Sequence, residues 1–259
     1  MAAAGRRGCR RRISGTCVPD IIAASAGRLR DFLPVLLLHG HISSAIYFAP
    51  PRLMTFCQCF NGILYNCAMS KMIAGIDFEA PPHAVARQLI GVTLLVNGVG
   101  GRIVETEAYD RDEPASHCYG GETPRNFSMF GPAGRSYVYR SHGLHWCLNF
   151  VCRENGHGAG VLLRALEPVA GLDQMRERRG MDDERLLCAG PGRLAQALAV
   201  SRAHNNLPLD AAPFQLLALD PGVVIDVLAG PRIGISKAVE LPWRFGLAGS
   251  RFLSKPFRQ

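Results

Sequence analysis

From Ile73 onward, apolar runs and turn residues follow one another at spacings that predict a series of short elements. Pro81-Pro82 opens a short helix through Ile90, and Val92 to Asn97 reads as a strand ending in the hairpin dipeptide Asn97-Gly98. Gly101 to Tyr109 is the return strand. A polar loop of about 25 residues follows, Asp110 to Arg135, too long to be mere connection in a compact domain. Ser136 to Ser141 and His145 to Cys152 are strands joined by a tight turn at His142-Gly143, and Val161 to Glu167 is another strand. Helical pattern then takes over, around Leu172 to Arg179 and from Arg193 to Val200 behind Gly190-Pro191-Gly192, before short strands resume near Phe214 and Val223. Strands and helices are segregated, which predicts an α+β domain over residues 73–259 with a largely antiparallel sheet.

Alternation along the strands sorts the side chains. Ile103, Glu105, Glu107 and Tyr109 share one face of their strand, and Val104, Thr106 and Ala108 share the other. In the hairpin, Trp146, Leu148 and Phe150 form an apolar face fit for the core, which sends His145, Cys147 and Asn149 to the opposite side; Tyr137 and Tyr139 pair likewise. Val161 to Glu167 is apolar except for Arg164 and the terminal glutamate, and a lone arginine inside such a run needs an anionic partner. Its natural partner is Glu105 or Glu107. An ion-pair network across a sheet accounts for such a trio more often than a catalytic site does.

The first 70 or so residues lack this periodicity, begin rich in Arg and Ala, and contain Pro50-Pro51. Residues 1–72 read as an N-terminal extension, disordered or a start-site artefact with Met69 or Met72 as the true first residue; a transit peptide is the other reading. Of the formal net charge of +8, residues 1–73 hold +7, so the folded body is nearly neutral. Within that body Arg232, Lys237, Arg244, Arg251, Lys255 and Arg258 stand against Glu240 alone, interleaved with Trp243, Phe245, Phe252 and Phe257. Such a stretch suits a phosphate-contacting surface, or a solvated Arg-rich domain end. The 48% hydrophobic and 19% charged composition excludes disorder, collagen and coiled coil, and no run approaches the roughly 20 apolar residues of a membrane span. None of the nine cysteines forms a C-x-x-C pair, so neither a disulfide framework nor a zinc ribbon is expected and a reducing cytoplasm is the expected compartment. His117, Cys118, His142, His145 and Cys147 offer metal-binding atoms without a metal-binding spacing.

The string Arg102-Ile103-Val104-Glu105-Thr106-Glu107-Ala108-Tyr109 resembles the active-site strand of the alkyladenine, or 3-methylpurine, DNA glycosylase family. The resemblance continues in order through Ser116-His117, Thr123-Pro124-Arg125-Asn126, Met129-Phe130, Tyr137-Val138-Tyr139 and His145-Trp146-Cys147-Leu148-Asn149. It runs on through Val161 to Pro168, Gly190-Pro191-Gly192-Arg193-Leu194 and Arg232-Ile233-Gly234-Ile235, covering about Gly75 to about Ser254.

The resemblance implies excision of alkylated purines from damaged double-stranded DNA: 3-methyladenine and 7-methylguanine, and hypoxanthine and ethenoadenine as further candidates. It also implies a curved sheet related to the C-terminal domain of methionyl-tRNA formyltransferases, and a monomer with no metal or organic cofactor. By position, Glu107 is the general base that activates water, and Arg164 helps hold that water and carboxylate. Tyr109, His117 and Tyr139 wall the pocket for the flipped base, and Asn149 obstructs the 2-amino group of normal guanine. The family commonly wedges a hairpin-tip tyrosine into the gap left by the flipped nucleotide, where this chain has His142. No lysine lies between Lys71 and Lys237, which argues for hydrolysis without strand cleavage. Two other readings are a lesion-binding protein without catalysis and an O-glycosidase using Glu105 and Glu107.

Overall fold

The computed structural model describes residues 72–257. Expectations for the N-terminal extension, its five cysteines and Arg258 lie outside the described residues. The elements run β1 (Met72–Ile73), β2 (Ile76–Asp77), α1 (Pro82–Gln88), β3 (Thr93–Val96), β4 (Val99–Tyr109), β5 (Ser136–Ser141), β6 (His145–Cys152) and β7 (Ala159–Ala170). They continue with α2 (Leu172–Arg179), α3 (Glu184–Leu187), α4 (Pro191–Ala197), β8 (Phe214–Leu217), β9 (Val227–Gly230) and β10 (Arg244–Leu247). The main sheet has eight strands in the order β5-β6-β7-β4-β10-β9, with β3 pairing β4 and β8, and every pairing is antiparallel. The class is α+β, as the segregated pattern predicts.

One edge of β4 lies along β7, while its other edge is shared, β3 taking Val99 to Arg102 and β10 taking Glu105 to Glu107. Serving both neighbours curls the sheet into a half-barrel. Gly101 permits the bend, because a Cβ there would sit 1.9 Å from the Glu167 carbonyl oxygen. The helices α1, α2 and α4 and the apolar faces of β4 to β7 enclose one core, with Leu89, Ile103, Leu148, Phe150, Leu163 and Leu166 fully buried. Thr106 is satisfied on this side by donating to the Ala86 carbonyl of α1 at 2.8 Å. The opposite face of the sheet carries the polar residues.

Simple alternation misplaces Ile103. The β4–β7 ladder slips at Val104, which lies unpaired between Ile103 and Glu105, and again opposite Arg164, which lies unpaired between Leu163 and Ala165. These paired bulges turn Ile103 into the core with Ala108, while Val104 packs with Ala165 and Phe252 on the other side. Glu105 and Glu107 keep a common face. Two further expectations need correction. The strand expected near Val223 is Val227–Gly230, with Val223 exposed in the turn before it, and Arg244–Leu247 is a strand in what reads as a basic tail.

Candidate active site

Arg164 stands between the two buried carboxylates of β4. Its Nε donates to Glu105 Oε1 at 3.0 Å and its Nη1 to Glu107 Oε2 at 3.1 Å, so both glutamates are its partners. Their environments separate their roles. Glu105 also accepts from Arg244 Nε at 2.8 Å, Ser254 Oγ at 2.8 Å and the Ser254 backbone N–H at 2.6 Å. Three of its four bonds fall on Oε1 and one on Oε2, and two of them come from arginines, so Glu105 is held as a structural anchor. Glu107 accepts only three: Arg164 Nη1, the Tyr109 hydroxyl at 2.9 Å and the Ile233 backbone N–H at 2.6 Å. One acceptor position on Oε1 stays free, which is what binding a water demands.

Above this floor opens a cleft of about 730 Å³ lined by Tyr109, His117, Tyr137, Tyr139, Asn149, His142 and Arg164, among others. The expected site residues thus converge, with Glu107 just beneath three lining residues, Tyr109, Arg164 and Ile233, that bond to it. Tyr137 and Tyr139 stack at 5.3 Å between centroids, and His117 meets Tyr139 edge-on at 4.5 Å with Nδ1 3.2 Å from the Tyr137 hydroxyl. Asn149 is pinned by donating from Nδ2 to the Tyr137 carbonyl at 3.1 Å. His142 sits at the tip of the β5–β6 hairpin with φ +49°, followed by Gly143 at +70° and then Leu144, a three-residue loop in which His142 is exposed. The hairpin leans on α4 at Gly192, where a Cβ would lie 2.9 Å from His145.

Burial pushes the Glu107 carboxyl above the ordinary range, against the pull of Arg164, the Ile233 N–H and the Tyr109 hydroxyl. Burial also works against the charge on Arg164, but Glu107 and Glu105 more than offset it and raise its pKa. The phenols of Tyr109 and Tyr139 are raised by burial and stay protonated. Desolvation among the rings, then the Arg125 charge, lowers the His117 pKa and keeps its imidazole neutral at pH 7. No Asp or Glu is among the cleft's lining residues, whereas Arg125 and Arg140 sit exposed on its rim. The mouth is therefore electropositive, and its walls are aromatic.

Several contributors escape a reading of side chains in sequence. Ile233 acts through its backbone and leaves no chemical signature, and the Tyr109 hydroxyl holds Glu107 in addition to the ring's place in the wall. The basic C-terminal stretch needs correction: Arg244 is buried against Glu105, and Arg232 is buried against Glu113 in a bidentate pair at 2.6 and 3.0 Å. Lys237, Arg251 and Lys255 remain exposed. The four described cysteines are buried and free. Among the described residues, the one grouping of potential metal ligands is Asp110, Asp112 and His157, not the set named from sequence. The His157 ring there already bonds Asp110 at 2.7 Å and lies 3.3 Å from Glu154.

A family model described as methylpurine-DNA glycosylase (MPG) matches residues 76–251, which takes in Glu105, Glu107, Arg164 and every residue lining the cleft. A protein of Nitrosospira multiformis provisionally named 3-methyladenine DNA glycosylase is 64% identical over 192 residues, 74% of this chain and 98% of its own length. Relatives with the same provisional name include one from Nitrobacter winogradskyi, 58% identical over 73% of this chain and 90% of its own. Another, from Rhizobium meliloti, is 54% identical over 73% of this chain and its entire own length. By its sheet, its buried Glu107–Arg164 floor and these matches, the chain belongs to the methylpurine-DNA glycosylase family.

Proposed function

We propose that this protein flips alkylated purine nucleotides out of duplex DNA and hydrolyses the N-glycosidic bond, releasing the base and leaving an abasic site. The observation that carries the proposal is the Glu107 carboxylate: buried, held by three donors, with one acceptor position left, beneath an aromatic cleft. A water on Oε1 is oriented by that carboxylate, and Arg164, which lines the cleft, holds the carboxylate from Oε2. Glu107 takes the proton as the oxygen attacks the anomeric carbon, and its negative charge stabilises the oxocarbenium character that develops there. Purines alkylated at N3 or N7 are cationic, which both weakens the bond to sugar and favours stacking between tyrosine faces. Asn149, fixed against Tyr137, supplies the clash that rejects the 2-amino group of normal guanine.

The expected monomer needs no metal or organic cofactor for this chemistry, and its nucleophile is water. Release of free base from methylated and hypoxanthine-containing duplexes, with the phosphodiester backbone intact, is the expected result. Equal or better hydrolysis of a small O-glycoside would overturn the proposal, but the anchoring of Glu105 by two arginines and Ser254 disfavours that two-carboxylate reading.

The raised Glu107 pKa sets the acid limb. Activity requires the ionised carboxylate, so excision falls as pH drops through a pKa above the ordinary glutamate value of about 4.3. A pH–rate profile on 7-methylguanine DNA checks this, and a limb at or below the ordinary value would contradict it. At the hairpin tip, a His142→Tyr variant should bind abasic-site DNA several-fold more tightly, because a larger ring fills the gap in the stack. Titration with a labelled abasic duplex measures it; unchanged or weaker binding counts against the wedge role.

A further inference from the structure

Tyr109 has a cation behind it. The Arg232 guanidinium carbon lies 4.7 Å from the centroid of the Tyr109 ring and 5.6 Å from that of Trp243, which in turn stacks on His83 at 5.4 Å. Arg232 does not line the cleft, whereas Tyr109 does, so the ring stands between the guanidinium and the space for a base. The arginine is fixed from several sides: two bonds to Glu113, one to the Ala108 carbonyl at 2.9 Å and one to the Ala238 carbonyl at 3.3 Å. Its neighbour in sequence, Ile233, gives Glu107 its backbone N–H.

A guanidinium at this position poses an electrostatic problem for a cationic guest. A base stacked on the far side of Tyr109 lies about 8 Å from that charge, close enough in a partly buried site to weaken binding of a cation about tenfold or more. The other charges beneath the ring balance one another, Arg164 and Arg244 against Glu105 and Glu107. Arg232 is balanced by Glu113 alone, which is 4% exposed.

We infer that the Arg232–Glu113 pair is a specificity-determining support for Tyr109: Arg232 holds the ring and the Ile233 N–H in place, and Glu113 cancels the guanidinium charge so that a cationic purine can stack there. This rests on the reading of Tyr109 as a wall of the base pocket. Arginine does not discharge by losing its proton, so replacing Glu113 exposes the base to the full charge.

The test is single-turnover excision by the full chain, in mildly acidic buffer, of cationic 7-methylguanine and of neutral hypoxanthine from one duplex sequence, with ethenoadenine as the neutral base if hypoxanthine is left in place. Glu113→Gln is expected to slow the cationic substrate about tenfold more than the neutral one. The double variant Arg232→Met/Glu113→Gln, again neutral, is expected to return the ratio to near the wild-type value while both rates stay low for want of support. Loss of folded enzyme scales both rates alike and leaves the ratio unmoved, so a structural role gives a constant ratio. A constant ratio in Glu113→Gln, loss of both activities together, or no recovery in the double variant overturns the inference. If wild type releases neither base, or Glu107→Gln excises as well as wild type, the glycosylase reading itself fails and this inference falls with it.

Discussion

Replacing Arg164 with methionine is expected to destabilise the protein by about 3–5 kcal/mol and to abolish excision. The two consequences share one cause. Arg164 is the cation common to Glu105 and Glu107, both fully buried, and its removal leaves Glu107 with only neutral donors. Glu105 retains Arg244 and Ser254, so most of the damage falls on Glu107. Deprived of its countercharge, that carboxyl takes up a proton at neutral pH, and a protonated carboxyl cannot accept one from water. Thermal melting should drop by about 6–20 °C, on the usual scaling for a domain of this size. A loss under 1 kcal/mol by denaturant titration, with an unchanged slope, would mean that the buried network does not form.

Glu107→Gln is expected to lower single-turnover excision by about a thousandfold, in the middle of the range for removal of a general base. Glutamine fills the same volume but is neutral and brings two N–H donors into a site built of donors. Whichever way the amide turns, its NH₂ faces either Arg164 Nη1 or the Ile233 N–H. Oxocarbenium stabilisation and proton acceptance are lost together. The cleft walls are untouched, so binding to lesion DNA should stay within a few-fold of wild type. Binding lost in parallel with excision would place the defect in folding or base recognition instead.

The strands that build the site are legible because they alternate: Tyr137 with Tyr139, and Cys147 with Asn149, face the cleft as the period of two requires. The resemblance of Glu107, Tyr109, His117, Tyr139, Asn149 and Arg164 to a family pattern singles out residues that the fold brings to one cleft and its floor. Sequence does not show the bulges at Val104 and Arg164, because β4 and β7 are buried on both faces there and no exposed polar residue marks the slip. Nor does it show that Arg232 and Arg244 are internal. Their partners, Glu113 and Glu105, lie 119 and 139 positions away, and an arginine near a chain end looks the same whether paired or solvated. The Ile233 contact is a backbone amide, which any residue but proline could supply.

The central claim is that a water held by Glu107 severs the bond between sugar and a flipped, alkylated purine. The most direct measurement is the release of free 7-methylguanine from duplex DNA by enzyme in excess, wild type beside Glu107→Gln, with lesion binding and strand integrity followed in the same samples. The account predicts one equivalent of base from wild type with the strand whole, and near-complete loss of release in the variant with binding retained. Equal release by Glu107→Gln, or a protein–DNA adduct trapped by borohydride with a broken strand, would contradict it.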